Sequence, residues 1–407
     1  MWSNIRIWLQ GHYNKIINSI AFYPAFIALL FLILSCLVIA FDFSEEGKEI
    51  KSQLHWLSLK DASTARSIIS AIVAGVISLA VFSFSMVMIV LNQAASQMSN
   101  RVLDKLIGNR FQQVVLGIYI GTIVYALFLL STIRGIDSGI YIPALSTYLL
   151  IAITVFDIFL FIYFLHYITQ SVKYKVIIQR IYEETKAALE RSCQLQQEPS
   201  EATSLQGDQF IFATSSGIYE GYNKRSLIKL CDENDCILQI LHTSGTFVLE
   251  GLPVLQVSKQ IPDEVKEAIL NTIYLHNNES VEGNFFYGFR QLMEVAIKAL
   301  SPGINDPGTA IESLRALFQL FSYRACYFPA NTIKNKENKA RIITKELTFE
   351  MIFADSVLPI WDYGKNDRLV QHELQQLLTQ LQSIAPHAII GKLLQETQKS
   401  IKHNNAL

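Results

Sequence analysis

Four long apolar runs constrain this chain more than any other feature. They are Ala21–Phe41, Ser67–Leu91, Val114–Ile133 and roughly Ile140–Tyr167. Each reaches the ~20 residues that a helix needs to cross a bilayer. Backbone in hydrocarbon must satisfy its own hydrogen bonds, so runs of this length are expected to be helices. All four fall in the first part of the 407-residue chain, and the rest reads as polar. The first run is too long for the core of a signal peptide and no small-x-small cleavage site follows it, so it reads as an uncleaved anchor.

Basic residues set the expected orientation. Arg6, Lys15, Arg101, Lys105, Arg110, Lys173, Lys175, Arg180 and Lys186 fall on one side, against Lys48, Lys51, Lys60, Arg66 and Arg134 on the other. Both termini are therefore expected to be cytoplasmic. Net charge is −1 and the charged fraction 17%, below the ~25% of soluble domains. No basic surplus suggests a nucleic-acid partner; the expected partners are the lipid bilayer and further copies of the chain.

Span two carries Ala71, Ser78, Ser85, Asn92 and Ser99 at intervals of seven, one stripe along a helix, with Ser96 beside its exit. Small and hydroxyl residues on one face permit close helix packing, and the same stripe could line an aqueous path. Gly117-x-x-x-Gly121 in span three is a close-packing signature. Asp157 lies well inside span four. An ionised aspartate there costs about 2.5–3.5 kcal/mol on insertion scales, so it should face protein or water. It reads either as an ion or proton site or as a hydrogen-bonded packing residue.

Beyond Tyr167, Val172, Val176, Ile177, Ile181 and Leu189 form one amphipathic face. The expected organisation is a four-helix transmembrane domain over 1–170, a helical stalk continuous with span four over 171–198, a linker over 199–207 and a cytoplasmic α+β domain over 208–403. Strands are expected at Phe210–Ala213, Gly217–Tyr222, Cys236–Thr243 and Thr246–Glu250, with a helix from Asn223 between the second and third. Helices are expected over Pro262–Leu275, Phe289–Leu300, Gly308–Phe321, Glu346–Leu358, Asp367–Ile384 and Pro386–His403, making an α+β fold with one small sheet. Cys231, Cys236 and His242 match no common zinc spacing and have no fourth ligand nearby. No metal, cofactor or disulfide framework is read from the sequence.

The string Ala299-Leu-Ser-Pro-Gly-Ile-Asn-Asp-Pro-Gly-Thr-Ala310 joins two of these helices. Pro302-Gly303 suits a helix end, and Asp306 before Pro307 suits the next helix start. Amides at such a start can hold an anion, with Arg290 one helix earlier adding charge. Ser301, Gly303, Asn305, Asp306 and Thr309 are thus either a candidate ligand junction or a tight structural corner.

Ser301-Pro-Gly-Ile-Asn-Asp-Pro307, with Gly288-Phe-Arg-Gln-Leu292, resembles a bacterial family of predicted membrane proteins, domain-of-unknown-function family 2254. The likeness extends to Phe82-Ser83, to Leu91-Asn-Gln-Ala-Ala-Ser-Gln-Met98 and Arg101-Val-Leu103, and to Phe164-Leu-His-Tyr167. At this last segment the family pattern has two histidines; only His166 matches, and Tyr167 replaces the second. The resemblance implies a bacterial inner-membrane location and four spans ahead of a cytoplasmic domain, and it carries no activity. No phosphate loop, nucleophile elbow or zincin motif points to an enzyme. The reading is an oligomeric ion channel or transporter with a regulatory domain, or alternatively a membrane-tethered sensor or scaffold. A small ion or an anionic ligand is the expected small partner.

Overall fold

In the computed structural model the described residues are 21–47, 49, 61–97, 110–133, 143–171, 173–199, 205, 207, 209–276, 281 and 284–404. Apart from residues 97–99, the chain divides into two compact units between Lys173 and Tyr174.

The first unit has four helices: α1 (Phe22–Asp42), α2 (Ala62–Gln97), α3 (Arg110–Thr132) and α4 (Ala144–Ser171). All four are long and apolar enough to cross a membrane. Asp61 starts α2, its carboxylate accepting the backbone amides of Ser63 and Thr64 at 3.1 and 3.0 Å. The glycine pair of α3 packs against α1. A Cβ on Gly117 would lie 2.7 Å from Ile27 Cδ1 and 3.1 Å from the Pro24 backbone, and one on Gly121 would lie 2.7 Å from the Phe31 ring. Only hydrogen at these positions permits so close a crossing.

The second unit begins with α5 (Tyr174–Ser192) and β1 (Cys193–Leu195). The helix of span four ends at Ser171, Lys173 is not helical, and α5 buries Ile177, Ile181, Thr185 and Leu189 within its own unit. Its amphipathic face is a core face, packed on α8 (Phe286–Leu300) and α9 (Pro307–Arg324). Gly288 marks the closest approach: a Cβ there would fall 2.6 Å from Thr185 Cβ, where ordinary contact begins at 3.4 Å.

Between β1 and α8 the chain forms β2 (Gln209–Phe212), β3 (Gly217–Tyr222), α6 (Lys224–Glu233), β4 (Leu238–Ile240), β5 (Phe247–Val248), β6 (Pro253–Val257), α7 (Asp263–Leu270) and β7 (Ile273–His276). After α9 come β8 (Phe328–Pro329), β9 (Thr332–Lys334), β10 (Ala340–Ile343), α10 (Phe349–Gly364), α11 (Arg368–Ile384) and α12 (Ala388–Asn404). The expected single sheet is instead three among the described residues: β2-β6-β4-β10-β9, β5-β3-β7 and β1-β8. The sequence reading missed β6 and β8 to β10, and the expected helix over Pro262–Leu275 instead stops at Leu270, its end forming β7. Half of the β9–β10 hairpin is lysine, glutamate and asparagine, yet Ile342 pairs in parallel with Leu238 and is fully buried.

One core lies on the sheets, where Leu227, Cys231, Cys236, Leu238, Leu255, Val257 and Ile342 are buried together. A second is aromatic: Phe321 meets Phe289 at 4.9 Å and Phe353 at 5.2 Å between ring centroids. Full burial of such a side chain is worth about 1.5–3 kcal/mol, with further gain from edge-to-face contacts.

Candidate functional site

The polar interior of the four-helix unit is the most unusual chemistry in the chain. Asp157 on α4 has no solvent exposure; its carboxylate oxygens make no well-formed hydrogen bond among the described residues, and the nearest side-chain donor, the Thr122 hydroxyl, is turned to the Ile118 carbonyl. Asp157 lies beside Thr122 and Tyr119, both on α3 and three residues apart. The Thr122 hydroxyl donates to the Ile118 carbonyl at 3.0 Å, the usual outlet for threonine in an apolar helix. The hydroxyls of Tyr119 and of Ser83 on α2 are both buried and lie beside one another. Ser83 and Gln113, whose Oε1 is unpartnered among the described residues, line a cavity of about 210 Å3 with Phe84, Val87, Leu116 and Phe164. A discontinuous polar string therefore runs from this cavity through Ser83 and Tyr119 to Asp157, drawing on three helices.

The other buried acid of this unit is held differently. Asp42, at the end of α1, accepts the Ser146 amide at 2.9 Å, and the Tyr125 hydroxyl reaches the Ser146 carbonyl at 3.3 Å. Asp42 is built into helix-end hydrogen bonds; Asp157 is not. Sequence reasoning singled out Asp157 but missed Tyr119, Thr122, Tyr125 and Asp42. The signal for the α3 residues was their spacing of three, which puts Tyr119, Thr122 and Tyr125 along one face.

The span-two stripe faces away from this interior. Ala71, Ser78, Ser85 and Asn92 are all exposed, while Ala62, Ile69, Val76 and Ser83, also spaced by seven, are buried. Ser78 and Ser85 donate to carbonyls one turn back, at 2.8 and 2.9 Å. Among the described residues the stripe is therefore outside the buried interior of this unit. The Ser96 side chain, Ser99 and the segment 101–103 lie outside the described residues.

In the second unit, the α8–α9 junction is a tight corner. Asn305 adopts φ 50°, Asp306 N donates to the Ala299 carbonyl at 2.8 Å, and Asn305 N donates to the Ser301 carbonyl at 2.9 Å. The Asp306 carboxylate accepts from Thr309 N and from the Thr309 hydroxyl, at 3.2 and 2.6 Å. The helix start is occupied by its own acid, and Arg290 pairs with Glu294 at 3.5 Å. Gly303 has open space around it. Asp306 also acts on Tyr174, whose pKa is raised by burial and by that charge. Cys231 and Cys236 are both fully buried, and the ring Nε2 of His242 lies 2.9 Å from the Pro253 carbonyl.

Four candidate spans with a buried carboxylate, followed by a mixed helix-and-sheet unit, define the class as a membrane protein with an appended α+β unit. The chain belongs to the family described as Predicted membrane protein (DUF2254), whose model matches residues 17–380. Uncharacterized proteins of Mycobacterium bovis and of Mycobacterium tuberculosis are each 24% identical to it over 336 residues. The match covers 77% of this chain and 63% of each of those longer proteins. No solved structure matches the chain.

Proposed function

We propose that this chain is an oligomeric transport protein or channel of the bacterial inner membrane, with Asp157 as the group that takes up a proton or small cation. The observation that carries this reading is the buried Asp157 carboxyl, with no well-formed hydrogen bond among the described residues, in the interior of the four-helix unit. Such a group is costly in hydrocarbon unless a proton or cation neutralises it. The nearby hydroxyls of Thr122 and Tyr119 can donate to a carboxylate or accept from a carboxylic acid, so both protonation states have candidate partners. The outward hydroxyl stripe of α2 supports assembly of several copies in the bilayer. The second unit is read as regulatory, both termini as cytoplasmic, and neither catalysis nor nucleic-acid binding is part of the reading.

The test is flux from proteoliposomes containing the full chain, measured for protons and for sodium and potassium. Asp157→Asn should abolish flux while the protein stays folded, because the amide keeps the shape and removes the titrating group. Ser85→Leu should reduce flux through assembly. Undiminished flux in Asp157→Asn, or none from the wild type under any gradient or voltage, refutes the proposal. A membrane-tethered sensor is the second reading, favoured by a charged pocket in the second unit.

A further inference from the structure

A pocket of about 570 Å3 opens in the second unit where the parallel strands β4 and β10 end. Small-molecule sites commonly occupy about 300–1,000 Å3, and the carboxyl ends of parallel strands are a preferred place for them. Leu241 follows β4 into the wall, Thr344 and Glu346 follow β10, Arg324 comes from the last turn of α9, and Glu198 lies beyond β1.

Arg324 is only 2% exposed. Its Nη1 donates to the Tyr327 carbonyl at 3.3 Å and its Nη2 to the Leu347 carbonyl at 3.0 Å. Its Nε has no partner, and among the described residues no carboxylate pairs with it. The guanidinium sits 5.4 Å over the Phe328 ring. Burial lowers its pKa, but an arginine stays charged in a protein. A buried cation held only by carbonyls and an aromatic face lacks the counter-charge that normally offsets desolvation.

The carboxylates that act on Arg324 do so from a distance. Glu198 and Glu346 share the pocket with it, and Glu350 lies beyond. Glu346 is exposed, and its carboxylate lies beside the Thr344 side chain. The pocket thus separates one cation from two acids rather than letting them close into ion pairs. With Lys345 on the rim, the lining carries two positive and two negative side chains. That balance disfavours a polyphosphate and suits a ligand bearing both charges.

We propose that this pocket binds a small zwitterion of the α-amino acid type, its carboxylate on the guanidinium edge of Arg324 and its ammonium toward Glu346 and Glu198. The site lies wholly in the second unit and does not depend on the reading of Asp157.

Thermal unfolding of the full chain in detergent, followed by intrinsic fluorescence, tests the proposal. Each of the common α-amino acids is added in turn, with acetate, orthophosphate and methylammonium as single-charge controls. At about a hundred times its Kd, a matching amino acid should raise the midpoint by several degrees, and the controls should not. Affinity should fall at least tenfold in Arg324→Gln and in Glu346→Gln; the second variant sits on the solvent-facing wall and tests the pocket without disturbing the core. The proposal is overturned if no amino acid raises the midpoint, if acetate or orthophosphate raises it equally, or if Glu346→Gln binds like the wild type.

Discussion

Gly288→Ala places a methyl group inside the crossing of α5 and α8. The new methyl would lie 1.7 Å from Thr185 Oγ1 and 2.6 Å from both Thr185 Cβ and Cγ2. Thr185 cannot simply turn away. It is fully buried, its hydroxyl donates to the Ile181 carbonyl at 2.5 Å, and its Cβ would still be too close in any rotamer. The crossing of α5 and α8 must therefore open. Overpacking of this kind costs about 1–3 kcal/mol, or roughly 3–10 °C in the midpoint of a unit this size. Thr185→Gly is the matching relief, because it empties the space that the methyl enters. Alone it should be destabilising, by about 0.3 kcal/mol in helix propensity plus lost packing. The double variant should be more stable than the two single costs predict, with a favourable coupling of about 0.5–3 kcal/mol. Scanning fluorimetry of the full chain and its three variants measures this. A Gly288→Ala midpoint equal to wild type, or strictly additive shifts in the double variant, would rule out a steric clash between the two residues.

Three further outcomes are expected. Asn223→Ala removes the side-chain acceptor of Ser226 N, a 3.1 Å cap at the start of α6, and should cost about 1 kcal/mol in urea titrations. Arg341 donates to Asp232 at 2.7 Å and to Asp235 at 2.9 Å, holding the Asp235 pKa below its ordinary value. A carboxyl depressed in the folded state adds stability above its unfolded pKa, and that stability is lost as pH falls through the folded one; Arg341→Met should flatten the loss of stability below pH ~4. Cys326 is exposed whereas Cys193, Cys231 and Cys236 are buried, and burial pushes the Cys193 thiol up to about 11. Maleimide should label Cys326 quickly and the other three only after denaturation, as read by peptide mass spectrometry.

The apolar helices and most of the later ones were legible because each encodes its own period. Pro302-Gly303 and Asp306-Pro307 bracketed a turn that the chain indeed makes, with Asp306 as the cap. What could not be read was pairing between distant segments. Leu238 and Ile342 are neighbours across a parallel ladder, but nothing local in Thr332-Ile-Lys-Asn-Lys-Glu announces a strand. The face of a helix is equally silent about its surroundings: heptads through Ser78 and through Ser83 look alike in sequence, yet one is outward and the other inward. Asp157 was visible as an anomaly of charge, whereas its companions Tyr119 and Thr122 are ordinary residues that only the fold brings beside it. Arg324 went unnoticed because a basic residue in the last turn of a helix is what the macrodipole leads one to expect.

The parallel ladder between β4 and β10 also fixes an order of events during synthesis. Strand β4 ends at Ile240, and its partner begins at Ala340, so the ribosome must make α7, α8 and α9 before the central sheet can close. Until then β4 lacks its β10 partner while the four apolar helices have already been made. Non-local pairing is slow, and an open edge in the meantime invites the wrong partner. Chains terminated anywhere before residue 343 should therefore aggregate rather than persist as a smaller folded protein, and release of the hairpin from the ribosome becomes the moment at which the second unit commits to its fold.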